Sequence, residues 1–209
     1  WLQLNKLYNF LVGKRAEDSG QEGIDNGCSG KDITNKKVVV IDPGHGGIDK
    51  GCIGKNNTYE KDVNLKIANE LKKLLEQKDY IVYMTRKNDT YISLKKRAVY
   101  ANSLGADLFI SIHLNSVDFD EEYIEGMEIF YYDWSESNYE ADLLDFYSTD
   151  SLEESLFREK VNNKILTIDK SREIAEEIKK TVEKTDIRFR KIEQDIYDVT
   201  AFTDMPSIL

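Results

Sequence analysis

The sequence predicts an α/β domain of three layers, with a central, mostly parallel, twisted sheet flanked by helices. Three observations carry this expectation. Short β-branched or apolar runs alternate with amphipathic stretches of helical length. The run at residues 106–115 is almost unbrokenly apolar, as suits a strand buried on both faces. Strand-like runs also stop at turn residues, as at Pro43-Gly44.

Each element has its own warrant. VVVID (38–42) is β-branched and strand-forming. KDVNLKIANELKKLLEQ (61–77) places Val63, Ile67, Leu71, Leu74 and Leu75 at helical spacing, with lysines on the opposite face. YIVYMT (80–85) is a second strand, and SLKKRAVYANSL (93–104) a second helix with Ser93 as its N-cap. ADLFISIHLN (106–115) is the third strand and GMEIFYY (126–132) the fourth. Residues 133–165 are acidic and aromatic and are expected to form one or two short surface helices, before the amphipathic helix SREIAEEIKKTVEK (171–184). IYDVT (196–200) is expected as a strand, and PSIL (206–209) as the start of another.

Composition narrows the function classes. The chain has 209 residues with 39 acidic against 29 basic ones, a formal charge of −10. A surface of that sign repels nucleic acid, whose binding depends on clustered Lys and Arg. With 40% hydrophobic residues the chain has enough apolar surface to offset its ordering entropy. One core fits this length. No apolar run approaches the roughly 20 residues needed to span a bilayer, so no transmembrane segment is expected. The expected organisation is an apolar N-terminal stub (WLQLNKLYNFLV) with a polar, Gly-rich tether over residues 1–35, then a catalytic domain over residues 36–209. The chain starts on Trp1 rather than Met, so an upstream segment, such as an envelope anchor, is expected to have been removed. It stops on Leu209 inside an apparent strand, where a free carboxylate would be desolvated, so the polypeptide is expected to continue. Cys28 and Cys52 are too few for a disulfide framework, although one bridge between them is open.

The two histidines both fall where strand-like runs end, His45 in Asp42-Pro43-Gly44-His45-Gly46-Gly47 and His113 in LFISIHLNS. In parallel sheets, ligands collect at the carboxyl ends of the strands. Glu60, just before the first long helix, is the candidate third ligand; the alternative is that it only complements the helix dipole. A His₂Glu set with an open fourth position is one arrangement of catalytic zinc. Asp42 is a candidate acceptor that orients His45, or a turn cap. Asn115 is a candidate substrate contact, or a turn-closing residue. Arg86 and Arg97 are read as structural ion-pair partners between the helix and strand layers, and Cys52 as a weak rival ligand.

Taken in order, IDPGHGG, YEKDVNL, MTRKNDTYISLKKRAVYAN, ADLFISIHLNS and GMEIFYY resemble the zinc-dependent N-acetylmuramoyl-L-alanine amidases of the amidase 3 type. The resemblance is close over about residues 37–132 and looser from the 171–184 helix to PSIL. It implies Zn²⁺ bound by His45, Glu60 and His113, and hydrolysis of the amide between N-acetylmuramic acid and L-alanine in peptidoglycan. In the family a general-base glutamate follows a motif similar to PSIL, so that residue is expected just beyond Leu209; none of the 209 residues takes that place, and Glu128 is the other carboxylate to test as a base. Cys52 is not part of the family pattern. The stub and RFRKIEQDIYDVTAFTDMPSIL resemble the germination-specific spore-cortex branch. That implies an extracytoplasmic enzyme of the cell envelope or spore, with an accessory protein or lipoprotein as partner. The competing readings are a non-catalytic peptidoglycan- or partner-binding module on the same fold, and a zinc peptidase of different specificity.

Overall fold

The computed structural model describes residues 36–115, 125–132 and 154–209. The expected stub and tether, Cys28, and residues 133–153 of the acidic stretch lie outside the described residues. Strand β1 (Val38–Pro43) leads to helix α1 (Glu60–Glu76), strand β2 (Ile81–Met84), helix α2 (Leu94–Ser103) and strand β3 (Leu108–Ile112). Strand β4 (Met127–Tyr132), helix α3 (Glu154–Val182), strand β5 (Phe189–Asp195), the short helix α4 (Asp198–Ala201) and strand β6 (Ser207–Ile208) complete the described order.

The sheet is parallel in the order β2-β1-β3-β6, with a second parallel pair, β4-β5. The two sheets meet where Phe130 and Leu209 exchange both backbone hydrogen bonds, at 2.8 and 2.9 Å, an exchange proper to antiparallel pairing. Helices cover both faces. Strand alternation sends Val39, Ile41, Leu108 and Ile110 against Leu71 and Leu75 of α1 and Ile178 of α3. Val40 and Phe109 point the other way, against Ala101 of α2 and Val199 of α4. The three-layer parallel expectation therefore holds. Among the described residues, no helix is long and apolar enough to cross a membrane.

Among the later elements, β4 and β6 fall where they were expected, and the segments between them depart from the expectation. Residues 154–182 form one 29-residue helix, so the helix expected at 171–184 starts well upstream. The expected strand at 196–200 is instead helix α4. Its tight turn is favoured because Lys164 of α3, 3% exposed, donates to the carbonyls of Thr200 and Thr203, which an extended segment would not bring together. The strand lies earlier, at β5, and was hidden by its charges. It pairs on one side only and is half-exposed, the setting in which charged residues guard a sheet edge. Ser93 occupies the N-cap of α2 with extended backbone, but its side chain makes no capping hydrogen bond.

Candidate metal centre

Beyond β1 the chain must turn sharply, and Gly44 ties that turn to β3 by donating to Ile112 O at 3.0 Å. His45 follows in the left-handed region, φ 61°, a conformation that costs a non-glycine residue about 1–3 kcal/mol and concentrates at functional sites. His113 directly follows β3. Glu60 is the first residue of α1 and is 3% exposed. Two strand ends and one helix start thus converge at the carboxyl edge of the sheet.

Glu60 Oε1 lies 3.2 Å from His45 Nε2 and 3.1 Å from His113 Nδ1. The donor atoms of all three residues lie within 4.8 Å of one another. The imidazoles meet edge to face, with centroids 4.7 Å apart. Asp49 Oδ2 sits 2.8 Å from His45 Nδ1; since an ionised carboxylate only accepts, that bond places the ring proton on Nδ1 and leaves the Nε2 lone pair facing the cluster. Three residues that can each offer a ligand atom thus lie close enough together to hold a metal ion. Ligands about 2.1 Å from a tetrahedral zinc lie about 3.4 Å from each other, and the observed spacings suit such an ion.

Burial opposes the charge on Glu60, but its contact with His113 and the hydrogen bonds from the N–H groups of Cys52 and Leu114 outweigh it and hold the carboxyl well below its usual range. The N–H contacts are 2.9 and 2.8 Å. Cys52 therefore contributes a backbone donor, and its thiol is not among the grouped ligands. Asp49 is likewise lowered: burial works against its charge, and the bonds from His45 and Gly51 prevail.

Glycines make room for this packing. A Cβ on Gly44 would fall 2.3 Å from His113 Nε2. One on Gly51, whose φ is +64°, would fall 2.6 Å from both Glu60 Oε2 and His45 Cδ2. Gly51→Ala is therefore expected to weaken the binding of a divalent metal ion at this candidate site by at least about tenfold, measured by competition against a chromogenic chelator; unchanged affinity would contradict the geometry.

The other candidates fall out differently. Asp42 does not orient His45. Alternation along β1 turns it to the α2 face, where it is fully buried and accepts from Arg97 (2.7 Å), Thr85 (2.5 Å) and Ser111 (2.9 Å). Asp49 takes the orienting role; its signal was an acid four residues beyond His45 across a Gly-Gly turn. Arg97 forms the expected ion pair with Asp42, whereas Arg86 donates to the backbone carbonyls of Pro43, Gly44, Lys61 and Asn88. Asn115 lines, with His113, a cavity of about 510 Å³ whose walls are largely apolar. It donates to Glu128 at 2.5 Å, and Glu128 also pairs with Arg190 at 2.6 Å. Arg190 is the extra residue at an irregularity in the β4-β5 register. Both Glu128 oxygens are thus engaged, which disfavours it as a free base.

Fold and site together define an α/β domain whose candidate metal centre lies at the carboxyl edge of a parallel sheet. The chain matches the family model Amidase_3, described as N-acetylmuramoyl-L-alanine amidase, over residues 39–209, and it belongs to that family. N-acetylmuramoyl-L-alanine amidase AmiC of Escherichia coli O6:H1 is 34% identical over 116 residues, 55% of this chain and 27% of that protein. N-acetylmuramoyl-L-alanine amidase LytC of Bacillus subtilis is 40% identical over 72 residues, 34% of this chain and 14% of its own length. The matched stretch is thus about a quarter or less of these relatives. Among solved structures, the N-acetylmuramoyl-L-alanine amidase from Clostridium difficile 630 is 35% identical with a TM-score of 0.58, covering 84% of this chain and 78% of that one. The CwlD amidase from Clostridioides difficile, solved in complex with the GerS lipoprotein, is 28% identical with a TM-score of 0.54, covering 83% and 80%.

Proposed function

We propose that this protein is a zinc-dependent amidase that hydrolyses the bond between N-acetylmuramic acid and L-alanine in peptidoglycan, outside the cytoplasm. The observation that carries this reading is the convergence of His45, Glu60 and His113 on one point in a chain of the amidase family. Zinc bound by these residues supplies a Lewis acid that polarises the scissile carbonyl and lowers the pKa of water. The chain's own groups do the rest. Asp49 holds His45 in the tautomer whose Nε2 is free to ligate. The N–H groups of Cys52 and Leu114 keep Glu60 ionised and fixed. The 510 Å³ cavity beside His113 offers a largely apolar bed for substrate, with Asn115 as a polar contact at its wall. Leu209 lines the same cavity.

The finer reading assigns the activity to spore-cortex peptidoglycan, with an envelope lipoprotein as accessory partner. It is supported by the resemblance of the C-terminal stretch to the germination branch and by the likeness to an amidase solved with a lipoprotein. The test is to incubate the zinc-loaded, full-length protein with vegetative sacculi and with isolated cortex, and to label newly exposed amino groups. New N-terminal L-alanine, abolished by chelation, is expected from cortex at the higher rate. No N-terminal alanine from either substrate overturns the amidase reading, and equal rates overturn only the cortex assignment.

A further inference from the structure

The turn that carries His45 has no strand or helix ladder to satisfy its carbonyls, yet it is buried, and buried carbonyls need donors. Two guanidiniums, 3% and 2% exposed, supply them. Arg86 donates from Nε to Pro43 O at 2.8 Å and from Nη2 to Gly44 O at 2.8 Å and Lys61 O at 2.7 Å. Arg97 donates from Nη1 to Pro43 O at 2.9 Å and from Nη2 to His45 O at 2.9 Å, while Asp42 takes its charge. Three consecutive carbonyls, 43, 44 and 45, are thus held by two planar forks, with Asn64 Nδ2 also 3.4 Å from Gly44 O. Arg86 reaches further, because Lys61 follows Glu60: one guanidinium joins the turn of the first ligand to the helix start of the second. Burial, together with the field of Arg97, lowers the pKa of Arg86, so keeping two guanidiniums here has a desolvation cost that the carbonyl hydrogen bonds must offset.

Resting on the reading of His45, Glu60 and His113 as a metal centre, we propose that Arg86 and Arg97 are positioning residues that set metal affinity, by holding the left-handed His45 turn in register with Glu60. Neither touches the ion. Lysine keeps the charge but replaces a rigid fork with a single point of three donors, so it cannot serve the same set of carbonyls.

The experiment is zinc titration of Arg86→Lys and Arg97→Lys in the full chain by competition with a chelator, alongside Val182→Ala as a core variant of reduced stability outside the cavity beside His113. Cobalt-substituted visible spectra report ligand geometry in parallel. Each Lys variant is expected to lose 10–100-fold in zinc affinity, the range typical of groups that orient ligands, and to show an altered cobalt spectrum, while Val182→Ala keeps the wild-type values of both. Zinc affinity within twofold of wild type in a folded Lys variant overturns the proposal. So does an equal loss in Val182→Ala, which would mean that the effect is merely one of stability. Should one Lys variant fail to fold, the other decides. A wild-type chain that binds no zinc overturns the underlying metal-centre reading instead, and is told apart because it needs no variant.

Discussion

On the proposed zinc-centre reading, His113→Ala is expected to leave a folded chain that no longer retains the metal, its content falling from about one ion per molecule to near zero. Hydrolysis of peptidoglycan should fall with it by at least about 10³-fold, since Lewis-acid stabilisation of several kcal/mol is lost and each 1.36 kcal/mol is a factor of ten. Elemental analysis and amine release read the two effects separately. His113 is the cleaner ligand to remove. It follows a regular strand, whereas His45 sits at φ 61°, so that replacing His45 also alters the backbone preference of the turn. A His113→Ala protein with full zinc and full activity would remove the metal centre from consideration.

The second large effect concerns Lys164. Burial lowers its pKa from the ordinary 10.5 to about 7, with Asp204 opposing; Asp204 is itself engaged by Lys160 at 3.2 Å. The ammonium lies against the Tyr132 ring at 5.1 Å and donates to Thr200 O at 2.5 Å. Below about pH 7, folded and unfolded chains both carry the proton, and the folded state bears the whole cost of burying it. Between about 7 and 10.5 the unfolded chain still holds a proton that the folded chain has released, so stability climbs as pH rises. The gain is at most about 5 kcal/mol. Measured as denaturation midpoints from pH 6 to 10, wild type should gain on Lys164→Met by several kcal/mol across that window; parallel profiles would show that this lysine is charged throughout.

The first five regular elements were legible because their signals are local. β-Branched and apolar runs marked β1, β2 and β3, helical spacing marked α1, and an N-cap residue marked the start of α2, so the carboxyl edge where His45 and His113 meet could be placed from the sequence. Glu60 was legible by its position before α1. What escaped depended on partners distant in sequence. The turn of α4 is favoured by Lys164, 36 residues away from Thr200. The edge position of β5 left its charges exposed, which erased any alternation. Asp42 looked like the natural neighbour of His45, but strand parity sent it to the α2 face, and the nearer acid in space was Asp49. The reach of Arg86 was unreadable for a simpler reason: its acceptors are backbone carbonyls, and every residue has one.

The Phe130–Leu209 exchange makes one continuous wall of the cleft. One bank carries His45 and His113 at the end of the four-stranded sheet, and the other bears Glu128 and Arg190 on the β4-β5 pair backed by α3. Asn115, two residues beyond His113, donates to Glu128 across the gap. A substitution at the Glu128–Arg190 pair is therefore transmitted to the backbone that carries one of the candidate ligands, and the far bank cannot be altered without reference to the near one.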